Sequence, residues 1–315
     1  MEVIRISYPL SEIASQYPVT EAQSAAIGDF DGVHLGHRQV IGKAVEASEF
    51  ERLSSAVMTF HPHPREVLGS PLYSTYLTPL DRKLEQFEKL GADRVYIVRF
   101  DRELAKLSPS DFVERILVPL RVKQAVVGFN FTFGHRGAGT PETLTELAAG
   151  RFRVNIVEPF QIEGQRVSST LIREALSQGD AAYAGRLLGR PYEIAGTVVK
   201  GEGRGSKIGI PTANVSPDGA YVTPATGVYA VTVRLDDGAQ LSGVMNVGKK
   251  PTFHADLPEP TWEVHLFDFS GDLYGRRLTI ELRNRIRSER RFESVDALVR
   301  QIHADIEQAR RLSAL

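Results

Sequence analysis

Hydrophobic positions change their spacing near residue 190, which divides the sequence into two regions. In the first region, helix-type segments at 37–51, 81–90 and 109–118 alternate with short β-type runs at 25–27, 55–59, 94–100 and 124–128. Strands that alternate with helices are typical of a parallel sheet covered on both faces. A further helix is predicted from Ser168 to about Leu188, where Gly189 and Pro191 would end it.

The second region consists of β-type runs separated by Gly, Pro and Asp turns. These runs lie at 192–199, 227–235, 240–247, 261–269 and 277–282. Their spacing favours an antiparallel barrel or sandwich. Apolar residues at helical spacing from 294 to 312, opened by Ser294 as a cap, predict one amphipathic helix that closes the barrel. We therefore expect two domains, 1–187 and 188–315, each large enough to bury its own core.

The amino-acid composition excludes several classes of protein function. The chain has 38 Lys and Arg against 39 Asp and Glu, a net charge of -1, and no cysteine. Thiol nucleophiles, disulfides and Cys-type metal sites are therefore excluded. Near-neutral charge argues against a nucleic-acid partner, and no apolar run reaches the ~20 residues of a membrane span. We expect a cytoplasmic protein with no nucleic-acid or membrane partner.

A glycine-rich segment, GDFDGVHLGH at 28–37, follows the first predicted strand of the sheet and precedes a helix. Its glycines allow backbone amides to approach an anion at the start of that helix. His34 and His37 are three residues apart and point two hydrogen-bond donors at one place, which suits the charge that develops on a phosphoryl group. A pair of structural histidines in a turn is the alternative.

Three further segments lie where a strand ends or a helix begins. TFHPHP at 59–64 and GFNFTFG at 128–134 follow predicted strands, and SSTLIR at 168–173 opens the last helix of the first region. Hydroxyls and amides at a helix start, with an arginine one turn inside, form an anion site. Considered alone, SST fits a capping box, and Phe60, Phe131 and Phe133 fit the core.

The second glycine-rich segment, GEGRGSKIGIPTAN at 201–214, matches neither a Walker loop nor a dinucleotide fingerprint. A mobile surface turn is therefore the alternative to a ligand site. Thr212 and Asn214 place a hydroxyl and a carboxamide two residues apart on an extended segment, and such oxygen ligands suit Mg²⁺.

A kinase that acts on an alcohol also needs a carboxylate. Glu263 and His265 lie on one face of a predicted strand, and Trp262 lies on the other. Glu263 is therefore a candidate for this carboxylate, whereas Asp268 lies on the same face as Trp262.

An arginine-rich run at 283–291 contains five arginines. The neutral overall charge argues against nucleic-acid binding. A solvated loop is the simplest interpretation, and a flap over a ligand is the alternative.

The four segments of the first region resemble the adenylyltransferase domain of bacterial bifunctional riboflavin kinase/FAD synthetases, in order and in spacing. The resemblance implies a Rossmann-like nucleotidyltransferase fold and a reaction in which the FMN phosphate attacks the α-phosphorus of ATP. It implies two sets of binding residues. The ATP set is Gly28, Phe30, Asp31, His34, Gly36, His37, Ser169, Thr170 and Arg173, and the flavin set is Phe60, His63, Pro64 and Asn130. Asn130 departs from the Asp that many members of the family carry.

The second region resembles the riboflavin kinase domain of the same family from about Gly189 to the end. GVMNVGKKPTF at 243–253 and DLYG at 272–275 are further matches, whereas GSKIG at 205–209 departs from the common Gly-Arg-x-Leu-Gly. The resemblance implies an ATP set and a smaller flavin set. The ATP set is Gly201, Gly203, Lys207, Gly209, Thr212 and Asn214, with Thr212 and Asn214 also on Mg²⁺, and the flavin set is Glu263, as base, and Arg287.

The sequence thus predicts an enzyme that makes FMN from riboflavin, and FAD from FMN, with ATP as the donor of both groups. ADP and pyrophosphate would leave, Mg²⁺ would assist, and the protein would be a monomer or a weak homo-oligomer. Two rivals remain: a kinase whose first domain has lost or changed its activity, and a flavin-binding regulator that uses both pockets for sensing. A sensor has no need of a general base, and Glu263 with His34 and His37 therefore favours an enzyme.

Overall fold

The computed structural model describes residues 1–10, 21–201, 203, 205, 208–250 and 259–313. The chain divides into two compact units, Met1–Ser168 and Ser169–Leu315. Among the described residues of the first unit, the strands and α-helices are β1 (Glu2–Ile6), β2 (Gln23–Ile27), α1 (Leu35–Glu51), β3 (Ser54–His61), α2 (Pro64–Val67), α3 (Leu80–Lys89), β4 (Arg94–Arg99), α4 (Pro109–Phe112), β5 (Val122–Gly128), α5 (Pro141–Ala148), β6 (Arg153–Val157), β7 (Gln161–Ile162) and β8 (Gln165–Arg166).

The first unit is built on a six-stranded parallel sheet, as the alternating pattern predicts. Its strand order is β1-β4-β3-β2-β5-β6, and every neighbouring pair is parallel. The chain runs outward from β2 through β3 to β4 and then returns to β5 on the other side of β2. The strand order therefore reverses between β2 and β5, and ligands of such sheets bind in the crevice outside the carboxyl ends at that place.

Both faces of this sheet are buried because side chains alternate along each strand. Ala25 and Ile27 of β2 belong to one apolar cluster, whereas Ala26 between them belongs to the other. The second cluster includes Val40, Ile41 and Ala44 of α1. A two-sided core explains why these strands appear in the sequence as nearly continuous apolar runs. It also fixes α1, and with it the loop that precedes α1.

The described residues of the second unit form two helices, six strands and a terminal helix. They are α6 (Ser169–Gln178), α7 (Ala181–Leu188), β9 (Tyr192–Val199), β10 (Ala213–Pro217), β11 (Gly227–Leu235), β12 (Gln240–Lys250), β13 (Glu259–Leu266), β14 (Arg277–Ser288) and α8 (Val295–Ser313). The strands close into an antiparallel barrel of order β10-β13-β12-β11-β14-β9. The predicted fold class is therefore confirmed in both regions.

The prediction of one helix from 168 to 188 is wrong, because the segment forms two helices. Gly179 lies between them with φ of +83°, a conformation that interrupts a right-handed helix. Asp180 then caps α7 by accepting a hydrogen bond of 2.9 Å from the backbone N–H of Tyr183. Glycine is typical of the end of a helix, and an Asp cap is typical of the beginning of the next one.

The interpretation of the arginine-rich run as a loop is also wrong for its first part. Residues up to Ser288 continue β14, whose inward side chains include Leu278, Ile280 and Leu282. Arg283 and Arg285 alternate with that strand's other residues, so arginine does not interrupt the ladder.

The terminal helix α8 packs on the outside of the barrel. Ala309, Ile306 and Leu312 contact a cluster that includes Val228 and Val244. The predicted cap is present, because the Ser294 hydroxyl accepts a hydrogen bond of 3.2 Å from the N–H of Ala297. No helix among the described residues combines the length and the apolar character that crossing a bilayer requires.

Candidate active sites

Three of the predicted segments meet at the carboxyl edge of the parallel sheet. Segment 28–37 follows β2, segment 59–64 ends β3, and segment 128–134 follows β5. Ala26 of β2 pairs with Val57 of β3 on one side and with Val126 of β5 on the other. The three loops that follow these strands are therefore neighbours at the place where the strand order reverses.

The loop between β2 and α1 is tightly constrained. A Cβ atom on Gly28 would lie 2.9 Å from the ring of Phe30, so any other residue there would require this buried ring to shift. Phe30 and Val33 have φ of +55° and +42°, which non-glycine residues adopt at a cost of about 1–3 kcal/mol each. Such backbone persists only where surrounding contacts hold it. Residues 28–33, called the phosphate-loop after the binding role predicted for them, therefore have their shape before any ligand binds.

The carboxylate of Asp31 supplies one of these contacts. Its Oδ1 atom accepts hydrogen bonds from the backbone N–H groups of Leu77, at 2.9 Å, and Thr78, at 3.2 Å, and its side chain is buried. Asp31 thus ties the phosphate-loop to the segment before α3. Contact between Asp31 and ATP stays a prediction, whereas the hydrogen bonds from Leu77 and Thr78 are present in the structure.

His34 and His37 are stacked at the start of α1. Their ring centroids are 3.5 Å apart, and the planes differ by 19°. His34 is the N-cap of the helix, and its Nδ1 atom accepts a hydrogen bond of 3.2 Å from the backbone N–H of His37. This cap leaves the hydrogen of a neutral His34 on Nε2. A Cβ on Gly36 would lie 3.3 Å from His34 Cε1, so glycine gives the ring its space.

Asp29 connects the phosphate-loop to the segment that follows β3. Its backbone carbonyl accepts hydrogen bonds from the Thr59 hydroxyl, at 2.9 Å, and from Lys83 Nζ, at 2.8 Å. Its carboxylate accepts a hydrogen bond from His63 Nε2. His63 Nδ1 accepts from the N–H of Arg65 at 3.0 Å as the N-cap of α2, which fixes the hydrogen on Nε2.

The other predicted flavin residues occupy different environments. Phe60 lies in the core beside Phe100 and Phe112, with ring centroids 6.3 and 6.5 Å away. Pro64 is the first residue of α2, and Asn130 is exposed in the turn after β5. The core packing of Phe60 agrees with the interpretation from the sequence that this ring is structural, and its contact with flavin stays a prediction.

Ser169, Thr170 and Arg173 belong to the second compact unit. Ser169 begins α6, and Arg173 is 7% exposed on the same helix. A helix start with hydroxyls and a buried arginine is a chemically suitable anion site. Its assignment to adenylyl transfer rests on the resemblance and stays a prediction.

The predicted kinase residues lie at the start of β10. A Cβ on Gly201 would lie 2.0 Å from the side-chain nitrogen of Asn214, and one on Gly205 would lie 3.2 Å from the Thr212 hydroxyl. These glycines therefore form a cradle in which the two oxygen-bearing side chains fit. Gly203 and Gly209 have φ of +66° and +77°, which glycine adopts without strain. Lys207 lies outside the described residues.

Asn214, Glu263 and Asn246 form a row across three neighbouring strands. Asn214 of β10 pairs with Glu263 of β13, and Glu263 pairs with Asn246 of β12. Residues directly opposite each other on antiparallel strands project to the same face. The structure therefore brings the predicted metal ligand and the predicted base together, and adds a second carboxamide that the sequence interpretation did not include.

His265 supports this row from the same face. Its Nδ1 atom donates a hydrogen bond of 2.8 Å to the carbonyl of Pro211, the residue before Thr212. A carbonyl can only accept, so the Nδ1 atom carries a hydrogen. His265 thereby holds the segment that carries Thr212 and Asn214 against β13.

Asp268, the competing carboxylate, is engaged elsewhere. Both of its oxygens accept from Arg310 of α8, at 2.8 and 2.9 Å. The hydrogen bonds from Arg310 lower the pKa of Asp268, which makes this carboxylate a weaker base. Glu263 remains the better candidate.

Arg287 lies on the barrel face that α8 covers. Its guanidinium forms hydrogen bonds of 3.1 and 2.9 Å with the carboxylate of Asp305, which is 2% exposed on α8. The arginine also lies 5.5 Å from the ring centroid of Phe292. Its visible role is to fix α8 against β14, and its predicted flavin contact stays a prediction.

A cleft of about 560 Å³ lies next to the segment that leads into β10. Pro211 and His265 form one side, and His303 and Arg310 of α8 form the other. Pro211 is the residue before Thr212, so the cleft lies close to one of the predicted Mg²⁺ ligands.

Sequence interpretation missed Lys83, Asn246 and the structural role of Asp29. Lys83 had a visible signal, because it lies at helical spacing with the apolar residues Leu80, Leu84 and Phe87. Asn246 and Asp29 had no comparable signal, since their roles depend on which strand lies beside them.

Comparisons with known proteins find two family models in tandem along the chain. A model described as FAD synthetase matches residues 17–171, and one described as riboflavin kinase matches residues 188–313. The chain is 44% identical over 314 residues to the bifunctional riboflavin kinase/FMN adenylyltransferase of Bacillus subtilis strain 168, covering 99% of this chain and 98% of that protein.

Two further relatives extend the comparison. The protein of the same name from Escherichia coli K12 is 40% identical over 319 residues, covering 100% of this chain and 99% of that protein. The crystal structure of a protein named macrolide-efflux protein from Streptococcus pneumoniae has a TM-score of 0.87 and 32% identity, covering 98% of this chain and 99% of that chain.

Proposed function

The chain belongs to the family of bifunctional riboflavin kinases/FMN adenylyltransferases, and we propose which of its residues carry each reaction. The enzyme phosphorylates riboflavin to FMN and adenylylates FMN to FAD. The FAD synthetase region is N-terminal, and the riboflavin kinase region is C-terminal. We propose the boundary between the two domains at residues 187 and 188, where the riboflavin kinase model begins.

Adenylyl transfer is carried by the stacked histidines at the start of α1. An oxygen of the FMN phosphate attacks the α-phosphorus of ATP, a new phosphorus–oxygen bond forms, and pyrophosphate leaves. The attacking group belongs to the substrate, so the protein supplies position and charge neutralisation. His34 donates from Nε2, because its Nδ1 atom caps the helix. His37 donates beside it, and the amides of the pre-shaped phosphate-loop complete the anion site.

The remaining residues of this site are assigned by resemblance. Gly28 and Gly36 give the backbone close approach to the triphosphate, and Ser169, Thr170 and Arg173 bind its phosphates. Phe60, His63, Pro64 and Asn130 form the flavin set. The adjacency of the loops that follow β2, β3 and β5 supports this assignment for the residues of the first unit.

The kinase reaction is carried by Glu263. Its carboxylate accepts the proton of the terminal hydroxyl of the riboflavin side chain while that oxygen attacks the γ-phosphorus of ATP, and ADP leaves. Asn214 is directly opposite Glu263, which supports placing the phosphate donor beside the base. Arg287 is proposed as a flavin contact.

Mg²⁺ is the proposed cofactor of the kinase, and the residues present fit it. Thr212 and Asn214 offer a hydroxyl and a carboxamide oxygen in the cradle that Gly201 and Gly205 leave open. Hard oxygen donors suit Mg²⁺, which shares its remaining positions with water and nucleotide phosphates. When bound, the ion neutralises charge on the phosphates. His265 orients the Thr212–Asn214 segment through the Pro211 carbonyl.

We also propose that the enzyme works in the cytoplasm, where both ATP-dependent reactions find their donor. Its proposed form is a monomer or a weak homo-oligomer, with no nucleic-acid or membrane partner. A concentration series in size-exclusion chromatography tests the oligomeric state.

One experiment tests the residue assignment and the two rival functions together. Purified protein is incubated with Mg²⁺ and ATP, first with riboflavin and then with FMN alone, and FMN and FAD are quantified over time. We expect FMN before FAD in the first reaction and FAD directly in the second. Formation of FMN without FAD supports the kinase with an altered first domain, and tight flavin binding with neither product supports the regulator.

A further inference from the structure

Lys83 is a buried lysine beneath the phosphate-loop. Only 2% of its surface is exposed, although lysine is almost never fully buried unless it has a partner. It lies on α3 with Phe87, which is completely buried. An apolar residue would normally occupy this helical position. The burial of a charge here therefore calls for an explanation from its contacts.

The contact of Lys83 is with the phosphate-loop itself. Its Nζ atom donates a hydrogen bond of 2.8 Å to the backbone carbonyl of Asp29. The Thr59 hydroxyl donates to the same carbonyl at 2.9 Å. Asp29 lies immediately before Phe30, the first of the two non-glycine residues of the loop with positive φ. Two donors from different elements thus fix the peptide at which the strained backbone begins.

The charge of Lys83 also affects the pKa of a nearby histidine, His61. Burial lowers the pKa of His61 below its ordinary value, and the positive charge of Lys83 lowers it further. The charge of Lys83 therefore reaches a titratable group at this edge of the sheet, and its effect on any other group depends on the distance between them. A positive charge beneath the loop stabilises an anion above it.

We propose that Lys83 is a positioning residue for FMN adenylyl transfer, which holds the phosphate-loop in its strained shape through the Asp29 carbonyl. This inference rests on the proposed role of that loop in binding the triphosphate. Lys83 is too deeply buried to touch substrate, so it acts through the backbone of residues 28–33. The kinase site lies in the other compact unit and should not depend on it.

The test replaces Lys83 with methionine, which retains a long side chain but removes the donor and the charge. We expect kcat/KM for FAD formation to fall roughly 10- to 100-fold in K83M, as for other orienting groups that act through a second residue. Riboflavin phosphorylation by the same molecules should stay within about twofold. Lys89, exposed in the last turn of α3, provides the matched control, and K89M should alter neither activity.

Two readouts separate positioning from a purely structural role. The pKa of His61, measured by NMR, should rise in K83M toward its ordinary value and remain low in K83R, which keeps the charge. Thr59→Val removes the second donor to the same carbonyl, and we expect it to reduce FAD formation selectively by a smaller factor. T59V also tests the proposal if K83M does not fold.

Several outcomes would overturn the proposal. One is a folded K83M with unchanged FAD formation, and another is a T59V that matches the wild type in both activities. Equal loss of both activities, together with a lower melting temperature, would show that Lys83 only stabilises the fold. Failure of the proposed function itself is distinguishable, because then the wild-type protein makes no FAD from FMN and ATP.

Discussion

The Nε2 atom of His63 donates a hydrogen bond to the carboxylate of Asp29, and this contact joins the loop after β2 to the loop after β3. His63 is buried, and its other ring nitrogen is committed to capping α2. The two loops carry the proposed ATP and flavin residues. This hydrogen bond fixes the positions of the two loops relative to each other, which suits a reaction between two bound substrates.

The first prediction concerns the energetic value of this contact. Asp29→Ala should lower FAD formation roughly tenfold, because it leaves a buried His63 donor without its acceptor, a loss of about 1–3 kcal/mol. Asp29→Asn retains an acceptor oxygen and should have a smaller effect. Steady-state kinetics of FAD formation, with riboflavin phosphorylation as the internal control, measure both variants.

A double-mutant cycle decides whether the pair acts as a unit. Asp29→Ala and His63→Leu are combined, and the interaction free energy is calculated from kcat/KM of FAD formation. Residues in direct contact give non-additive effects of about 0.5–3 kcal/mol. Additive effects within about 0.3 kcal/mol would contradict the account.

The second prediction concerns the proposed base of the kinase. Glu263→Gln preserves the size of the side chain but removes the carboxylate that accepts a proton. FMN formation should fall roughly 10²- to 10⁴-fold, the range typical of general base removal. FAD formation from added FMN should be unchanged. If E263Q phosphorylates riboflavin normally, Glu263 is not the base.

The third prediction concerns His265 and the Mg²⁺ requirement. His265→Phe removes the hydrogen bond to the Pro211 carbonyl and should raise the Mg²⁺ concentration for half-maximal kinase activity by roughly tenfold or more. His265→Asn places a donor close to the original Nδ1 atom and should retain most of the affinity. A magnesium titration of the kinase reaction compares the two variants; equal behaviour of both would argue against positioning through Pro211.

The fourth prediction follows from the lowered pKa of His61. Burial, and then the charge of Lys83, lower this pKa below 6.5 in the folded protein. As pH falls below about 6.5, the unfolded chain binds a proton that the folded protein does not, and stability decreases. Stability therefore rises with pH between the folded pKa and about 6.5.

Chemical denaturation at several pH values checks this effect. His61→Gln should show a smaller loss of unfolding free energy between about pH 7 and pH 5 than the wild type. The same slope in both proteins would mean that His61 titrates normally in the folded state.

Sequence patterns predicted the architecture well because hydrophobic periodicity follows directly from burial. The β-type runs at 192–199 and 227–235 coincide with β9 and β11, and the helix predicted from 37 corresponds to α1. The break at Gly179 was missed because the apolar spacing continues across it. The arginines of β14 were misjudged because a strand's outer face is as polar as a loop.

The candidate sites were predictable in their residue types but not in their contacts. Glycines, histidines and the Thr212–Asn214 pair were visible in the sequence because each needs a specific residue at a specific spacing. The pairing of Asn214 with Glu263, and the contact between Asp29 and Lys83, depend on long-range neighbours. Such contacts are determined by sheet order, which a single sequence does not encode locally.

The most direct measurement of the central claim, that two separate sites divide the two reactions, is the product profile of His37→Ala. Removal of a donor that stabilises the charge developing around the attacked phosphorus typically reduces the rate roughly 10²- to 10³-fold. H37A should therefore accumulate FMN from riboflavin, ATP and Mg²⁺ at the wild-type rate while FAD formation is abolished or falls by that factor. Loss of FMN and FAD formation together, in a variant that is still folded, would contradict the account.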